Sequence, residues 1–229
     1  MIVADRKPFT EISEKLKGCK SVLVLGCGTC VAVCMAGGER EVALLGSELR
    51  MAAKMAGQDL EVGETTIQRQ CDREYIEPII DMAKDYDIVL SLACGAGVQM
   101  VADILAPHLV APGLNTRFIG ITEAEGKWAE RCLACGDCLL GEYGGICPVT
   151  TCTKGLLNGP CGGATKGKCE AGDGRDCAWE LIYNRLKSQG RLENLGKLLT
   201  IKDYRKKDHP MHQVNQAYIK QEAAASAKQ

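Results

Sequence analysis

Apolar and polar positions along the first half of the chain switch between two periods. SVLVLG (21–26) and DIVLSLAC (87–94) are short, nearly unbroken apolar runs, as expected of strands buried on both faces. LEVGETTIQRQC (60–71) alternates with a period of two, and RFIGIT (117–122) reads as a fourth strand. Helical stretches lie between them. Residues 40–57 have helical character and stop at Gly57. Residues 73–86 look helical, with Pro78 tolerated only in the first turn, and residues 97–108 form another helix. Strands separated by helices imply βαβ units and a Rossmann-like, doubly wound parallel sheet, an α/β domain over residues 1–122.

The pattern then stops. Residues 123–177 are rich in Cys and Gly and almost lack apolar periodicity. Such a segment does not build a core from side chains alone, so a bound group is expected to hold it, as an irregular cluster-binding segment. AWELIYNRLKSQG (178–190) is an amphipathic helix ending at a glycine, and KDYRKKDHPMHQ (202–213) is polar and basic. Together they read as a helical docking segment over 178–215, and residues 216–229 as a flexible tail. The basic run Lys202–Lys207 reads as a solvated face, with an acidic partner as the alternative.

Composition narrows the function classes. Hydrophobic residues make up 46% of the 229 and charged residues 25%, ordinary for a globular protein, and the net charge of −1 argues against nucleic acid or an anionic membrane surface as main partner. No apolar run reaches the roughly 18 residues of a membrane span. MIVADRKPFTEISEKLKG lacks the pattern of a secretory signal. The expectation is a cytoplasmic protein whose thiols stay reduced. The fourteen cysteines are then metal ligands sooner than disulfides.

Two cysteine constellations stand out. Cys27 follows the first strand in LGCGTC, Cys71 ends the second in QRQC, and Cys94 ends the third in SLACGAG. Open α/β sheets bind ligands at the carboxyl ends of their strands, so these three thiols should converge there. Cys30, three residues after Cys27, starts the next helix and completes a four-thiolate set, with the helix N-terminus favouring negative charge. The competing reading is a set of small buried hydrophobes. It suits Cys34, on the packed face of that helix, and Cys19, ahead of the first strand. A nucleotide loop fits poorly, because LGCGTC lacks G-x-G-x-x-G.

The second constellation is CLACGDCLLGEYGGICPVTTCTKGLLNGPCGGATKGKC, with seven cysteines between Cys132 and Cys169 and an eighth at Cys177. Cys132-x2-Cys135-x2-Cys138 has the tight spacing of a bacterial ferredoxin run, in which three thiolates take three corners of a cubane. Eight residues rather than three then precede Cys147-Pro148, so the fourth ligand stays open among Cys147, Cys152, Cys161, Cys169 and Cys177. A four-thiolate zinc knot is the alternative, and a zinc ion beside one cluster stays open. The nearby glycines let backbone N–H groups approach the sulfurs. His108, His209 and His212 are too few and scattered for a histidine site, and His108 reads as a satisfied loop residue. No nucleophile–base pair emerges, so no catalytic residues are assigned.

The spacing GGICP…C.KGL.NGPCGG…G.CE, with LGCGTCVAVCMAGGE nearer the N-terminus, resembles the methylenetetrahydrofolate reductase C-terminal (MetV-type) family over roughly residues 20–190. The resemblance implies a small iron–sulfur subunit accompanying a flavin-containing MetF-like subunit. That partner would reduce 5,10-methylenetetrahydrofolate to 5-methyltetrahydrofolate at its FMN, in the methyl branch of the Wood–Ljungdahl pathway. It implies two [4Fe–4S] clusters, one on Cys27, Cys30, Cys71 and Cys94 and one on four of the eight later cysteines. It also implies a hetero-oligomer, with a ferredoxin or another redox protein as donor. An electron relay of this kind needs the two clusters close together, with the cysteine-rich segment over the carboxyl edge of the sheet. Two other readings compete: an electron carrier for a heterodisulfide-reductase-type assembly, and a zinc-stabilised interaction module.

Overall fold

A computed structural model describes residues 1–199, 201–207 and 210–216. The tail read at 216–229 lies outside them apart from Gln216, as does His209. In order, the elements are β1 (Ile2–Arg6), α1 (Phe9–Lys15), β2 (Ser21–Cys27), α2 (Cys30–Val33), α3 (Glu39–Met55), β3 (Glu61–Ile67), α4 (Arg73–Ile76), α5 (Ile80–Lys84), β4 (Ile88–Leu92), α6 (Gly95–Leu105), β5 (Leu109–Pro112), β6 (Leu114–Ala124), β7 (Lys127–Cys132), α7 (Pro148–Thr151) and α8 (Ala178–Ser188). The chain divides into two compact units, Met1–Leu133 and the residues from Ala134 onward.

The first unit is built on a parallel four-stranded sheet in the order β3-β2-β4-β5. The two central strands are apolar at successive positions because both faces are covered. Val22 and Val24 of β2, with Ile88 and Leu90 of β4, pack on Ile12 of α1 and Val42, Leu45 and Leu49 of α3. Leu23, Leu25 and Val89 point the other way, onto Ile76, Ile79, Ala83, Val101 and Leu105 of the α4–α6 region. Helices on both faces make the sheet doubly wound, as the alternating pattern implied. Burying each such aliphatic side chain is worth about 1.5–3 kcal/mol.

Four expectations need correction. The segment at 117–122 is not a strand of the parallel sheet. It lies within β6, which pairs antiparallel with β1 and β7 in a separate three-stranded sheet. The fourth parallel strand is the short β5. The strand expected to run to Cys71 stops at Ile67, leaving Cys71 in a turn. The helix expected over 73–86 breaks into α4, a 3-10 turn at Glu77–Ile79 and α5, since Pro78 has no N–H to continue the ladder. Residues 127–132, inside the segment read as irregular, form β7.

The second unit has a small core of its own. Tyr143, Trp179, Ile182 and Leu186 are buried together, flanked by Leu139, Ile146, Cys152, Leu156, Cys177 and Leu199. The rings of Tyr143 and Trp179 meet edge to face, with centroids 5.3 Å apart and planes at 81°. Helix α8 supplies three of the four buried residues and ends at Gly190. That residue takes φ 67° while Arg191 N–H donates to Leu186 O and Gly190 N–H to Lys187 O, a glycine-capped helix end that a Cβ would strain. The cysteine-rich segment is thus not coreless, but four buried residues are little for a unit of this size.

Candidate thiol sites

None of the fourteen cysteines is in a disulfide. In the first unit, β2 ends at Cys27, which is buried, and its N–H donates to Gly37 O at 2.9 Å. Gly26 is level with Leu92 in the parallel register, so Cys27 and Cys94 leave neighbouring strands at the same sheet edge. Cys94 is the N-cap of α6, and Gly95 N–H donates to Thr116 Oγ1 at 2.9 Å. Cys30 opens α2, which has only four residues and so supplies little of the dipole expected of a helix N-terminus. Cys34 lies one turn on. It is buried, and its thiol donates to Val31 O and Ala4 O, in keeping with a packing role.

Cys71 is brought to the same edge by a residue the sequence reading passed over. Gln70 is fully buried, and its Nε2 donates to Leu25 O of β2 at 2.8 Å. Ser91 Oγ of β4 donates to Gln70 Oε1 at 2.6 Å. One side chain therefore ties the loop after β3 to both central strands, and Cys71 follows directly. Desolvation pushes the Cys71 thiol up, and the nearby sulfurs of Cys94 and Cys27 push it further. A positive or electron-accepting group at this edge would relieve the burial and the charge crowding on Cys71. Cys19 is elsewhere, packed against the core, its thiol raised by burial and by Asp87. Cys132 closes β7, opposite Ile119.

In the second unit Cys147 precedes α7 and accepts from Thr150 Oγ1 at 3.6 Å, and Cys152 follows the same helix. Cys177 caps α8 and donates its N–H to Gly167 O at 2.8 Å, while Cys169 N–H donates to Arg175 O at 2.9 Å. Gly163 N–H donates to Cys161 Sγ at 3.4 Å, the kind of N–H approach to sulfur expected of the glycine-rich run. The Cys161 thiol in turn donates to Glu170, which also pairs with Lys154. Cys138 is exposed.

Cys135 has the most unusual surroundings. Burial alone would push its thiol up, but a hydrogen bond from the Asp137 backbone and the Lys202 ammonium outweigh burial and bring it below the ordinary thiol value. Lys202 is buried, contrary to the solvated face read for Lys202–Lys207, and its Nζ donates to Asp137 O. His108, read as a satisfied loop residue, keeps Nε2 buried with no hydrogen-bond partner.

Among the described residues, no three His, Cys, Asp or Glu side chains are gathered tightly enough to hold a single metal ion. A tetrahedral zinc site draws four sulfurs to about 2.3 Å from one centre. A cubane carries each thiolate on a separate iron and accepts a wider set. Thiols are soft donors, which fit zinc and iron–sulfur clusters alike. Among the described residues no helix is long and apolar enough to cross a membrane.

Residues 111–205 match the model of a family described as methylene-tetrahydrofolate reductase C terminal. The match starts in β5 and takes in all eight cysteines from Cys132 to Cys177, together with Lys202, but leaves Cys27, Cys30, Cys71 and Cys94 outside it. It spans less than half of the chain and links that part to methylenetetrahydrofolate reductase, a folate oxidoreductase. No curated protein and no solved structure matches the chain.

Proposed function

We propose that this chain is the electron-transfer iron–sulfur subunit of a methylenetetrahydrofolate reductase complex. The observation that carries the reading is that the family match encloses eight cysteines outside any disulfide, seven of them in a unit whose hydrophobic core cluster has four buried residues. A bound group that also stabilises the unit accounts for both facts. When bound, [4Fe–4S] clusters would supply one-electron storage at potentials within the broad range of roughly −700 to +450 mV open to them. In this reading Cys27, Cys30, Cys71 and Cys94 hold one cluster. Cys135 and Cys138, with Cys132 and a fourth thiol among Cys147, Cys152, Cys161, Cys169 and Cys177, hold another.

The chain has no catalytic residues in this reading. It passes electrons to or from the FMN of a MetF-like partner, which interconverts 5,10-methylene- and 5-methyltetrahydrofolate in the Wood–Ljungdahl methyl branch, in the cytoplasm, with a ferredoxin-like donor. The residues of this chain hold the sulfurs, exclude water from them and set the charge around them. A second reading keeps the clusters but serves a different oxidoreductase. It is favoured by one fact: the sheet-edge thiols lie outside the matched segment.

The test is iron, zinc and acid-labile sulfide content, with an EPR spectrum after reduction, on anaerobically purified protein, followed by co-purification with a MetF-like flavoprotein. About eight irons and eight sulfides per chain and a stable flavoprotein complex support the reading. Zinc without sulfide overturns it. Clusters without the complex favour the second reading.

A further inference from the structure

Lys202 is the one buried charged side chain among the described residues, at 5% exposure. A buried ammonium is costly unless an anion and hydrogen-bond acceptors surround it. No carboxylate pairs with it among the described residues. The Asp137 carboxylate is held by Lys206 at 3.2 Å. Lys202 Nζ instead donates to Asp137 O, the same carbonyl to which the Cys135 thiol donates at 3.8 Å. Among the described residues, the Cys135 sulfur is the group on that carbonyl that can carry a balancing negative charge.

The backbone holds Lys202 there deliberately along its length. Arg191 Nη2 donates to Gly141 O at 3.1 Å, and Asn194 Nδ2, itself buried, donates to Glu142 O at 3.0 Å. Further on, Lys206 O lies so close to Gly136 that a Cβ there would come within 2.3 Å of it, and Gly136 already has φ 76°. Residues 191–199 and 201–206 thus meet residues 136–142 at Arg191, Asn194 and Lys206, and Lys202 belongs to this strap. Lys202 turns inward, while Tyr204, Arg205 and Lys206 of the same run are exposed.

We propose that Lys202 is a positioning and charge-compensating residue: held by this strap, its ammonium is the counter-charge of the Cys135 thiolate and raises the reduction potential of the group that thiolate binds. The proposal rests on the iron–sulfur reading above. Reduction adds one electron, and so one negative charge, to the bound group. A fixed cation at hydrogen-bond distance in a low-dielectric setting stabilises the reduced form more than the oxidised form.

The experiment uses the full chain, purified anaerobically, as wild type, Lys202→Met and Lys202→Arg. Each is measured for iron and sulfide content and by EPR-monitored redox titration. Lys202→Met should lower the midpoint of one of the two cluster signals and leave the other unmoved. The expected change is about tenfold in the reduced-to-oxidised ratio at fixed potential, or about 59 mV for one electron. Lys202→Arg should titrate close to wild type. Loss of that one cluster in Lys202→Met with retention in Lys202→Arg supports the same role. Lys202→Met titrating like wild type, or both variants being altered alike, overturns it. Wild-type protein without iron and sulfide overturns the iron–sulfur reading itself, and the proposal with it.

Discussion

Ser91 Oγ donates a 2.6 Å hydrogen bond to Gln70 Oε1, and both residues are completely buried. Gln70 passes the connection on through Nε2 to Leu25 O. A buried polar side chain with both ends satisfied fixes its backbone as firmly as an apolar one and leaves less room for alternatives. Gln70→Leu keeps the volume but strands the Leu25 carbonyl and the Ser91 hydroxyl, so it should destabilise the protein by about 1–3 kcal/mol. Ser91→Ala should cost about 1 kcal/mol, and the double variant less than the sum of the two. Urea denaturation of the four proteins checks this. Labelling of Cys71 by a thiol reagent should speed up in Gln70→Leu, and an unchanged rate would remove Gln70 as the residue that places Cys71.

Asp87 clips together the starts of the two central strands. Lys20 and Ser21 donate their N–H groups to Asp87 Oδ2 at 2.6 and 3.0 Å, and Asp87 N–H donates to Ser21 Oγ at 2.9 Å. The N–H groups of Lys20 and then Ser21 hold the carboxyl below its usual value. A carboxyl depressed in the folded state contributes stability above its unfolded pKa of about 3.9, and that contribution is lost as pH falls through the lower folded value. Asp87→Asn should therefore lower stability at pH 7, where the carboxylate contributes fully, and flatten the further fall on the acid side of about pH 4. Thermal melts from pH 7 to pH 2.5 would show it, and an unaltered acid slope would contradict it.

The legible part of the fold was the part set by local pattern. The apolar runs at 21–26 and 87–94 became β2 and β4, and the helix ending at Gly57 became α3, with Gln58 N–H closing on Ala53 O. What failed depended on partners far away in sequence. A period-two stretch such as 117–122 reads as a strand without saying whether its neighbour runs parallel, and its neighbours are β1 and β7. β5 is four residues long and ends in Pro112, too short for periodicity to register. Cys27 could be placed from the end of its strand, but Cys71 lies in a turn four residues past its strand, and the burial of Gln70 and Lys202 was not legible. Each is a polar residue in a polar run, and only the tertiary fold turns it inward.

The core of the second unit gives a stability prediction. Trp179 fills the space against Tyr143, and its Nε1–H donates to Leu156 O at 3.2 Å. Trp179→Phe should lose about 1 kcal/mol with the hydrogen bond. Trp179→Ala should lose about 3–5 kcal/mol, enough to open a unit whose hydrophobic cluster has four buried residues. Limited proteolysis should then cut between residues 134 and 199 while the first unit stays intact. A chelator strong enough to strip iron should do the same to wild-type protein if a bound group shares in holding this unit, and resistance to it would mean that the side chains alone suffice.

Substituting cysteines one at a time separates the two thiol sets. Cys94 leaves β4 at the sheet edge of the first unit, and Cys135 lies against Lys202 in the second. The residues named for each set belong to one unit except for Cys132, which closes β7. If two clusters are bound, Cys94→Ala should remove about half of the iron and sulfide and leave one reduced EPR signal. Cys135→Ala should remove the other half and leave the complementary signal. Cys34→Ala is the control, since its thiol is buried and bonded to Val31 O and Ala4 O, so it should keep all the iron at some cost in stability. Unchanged iron in Cys94→Ala would remove that residue as a ligand. Loss of all iron in either single variant would mean that the two sets do not fill independently, and that one must be occupied before the other.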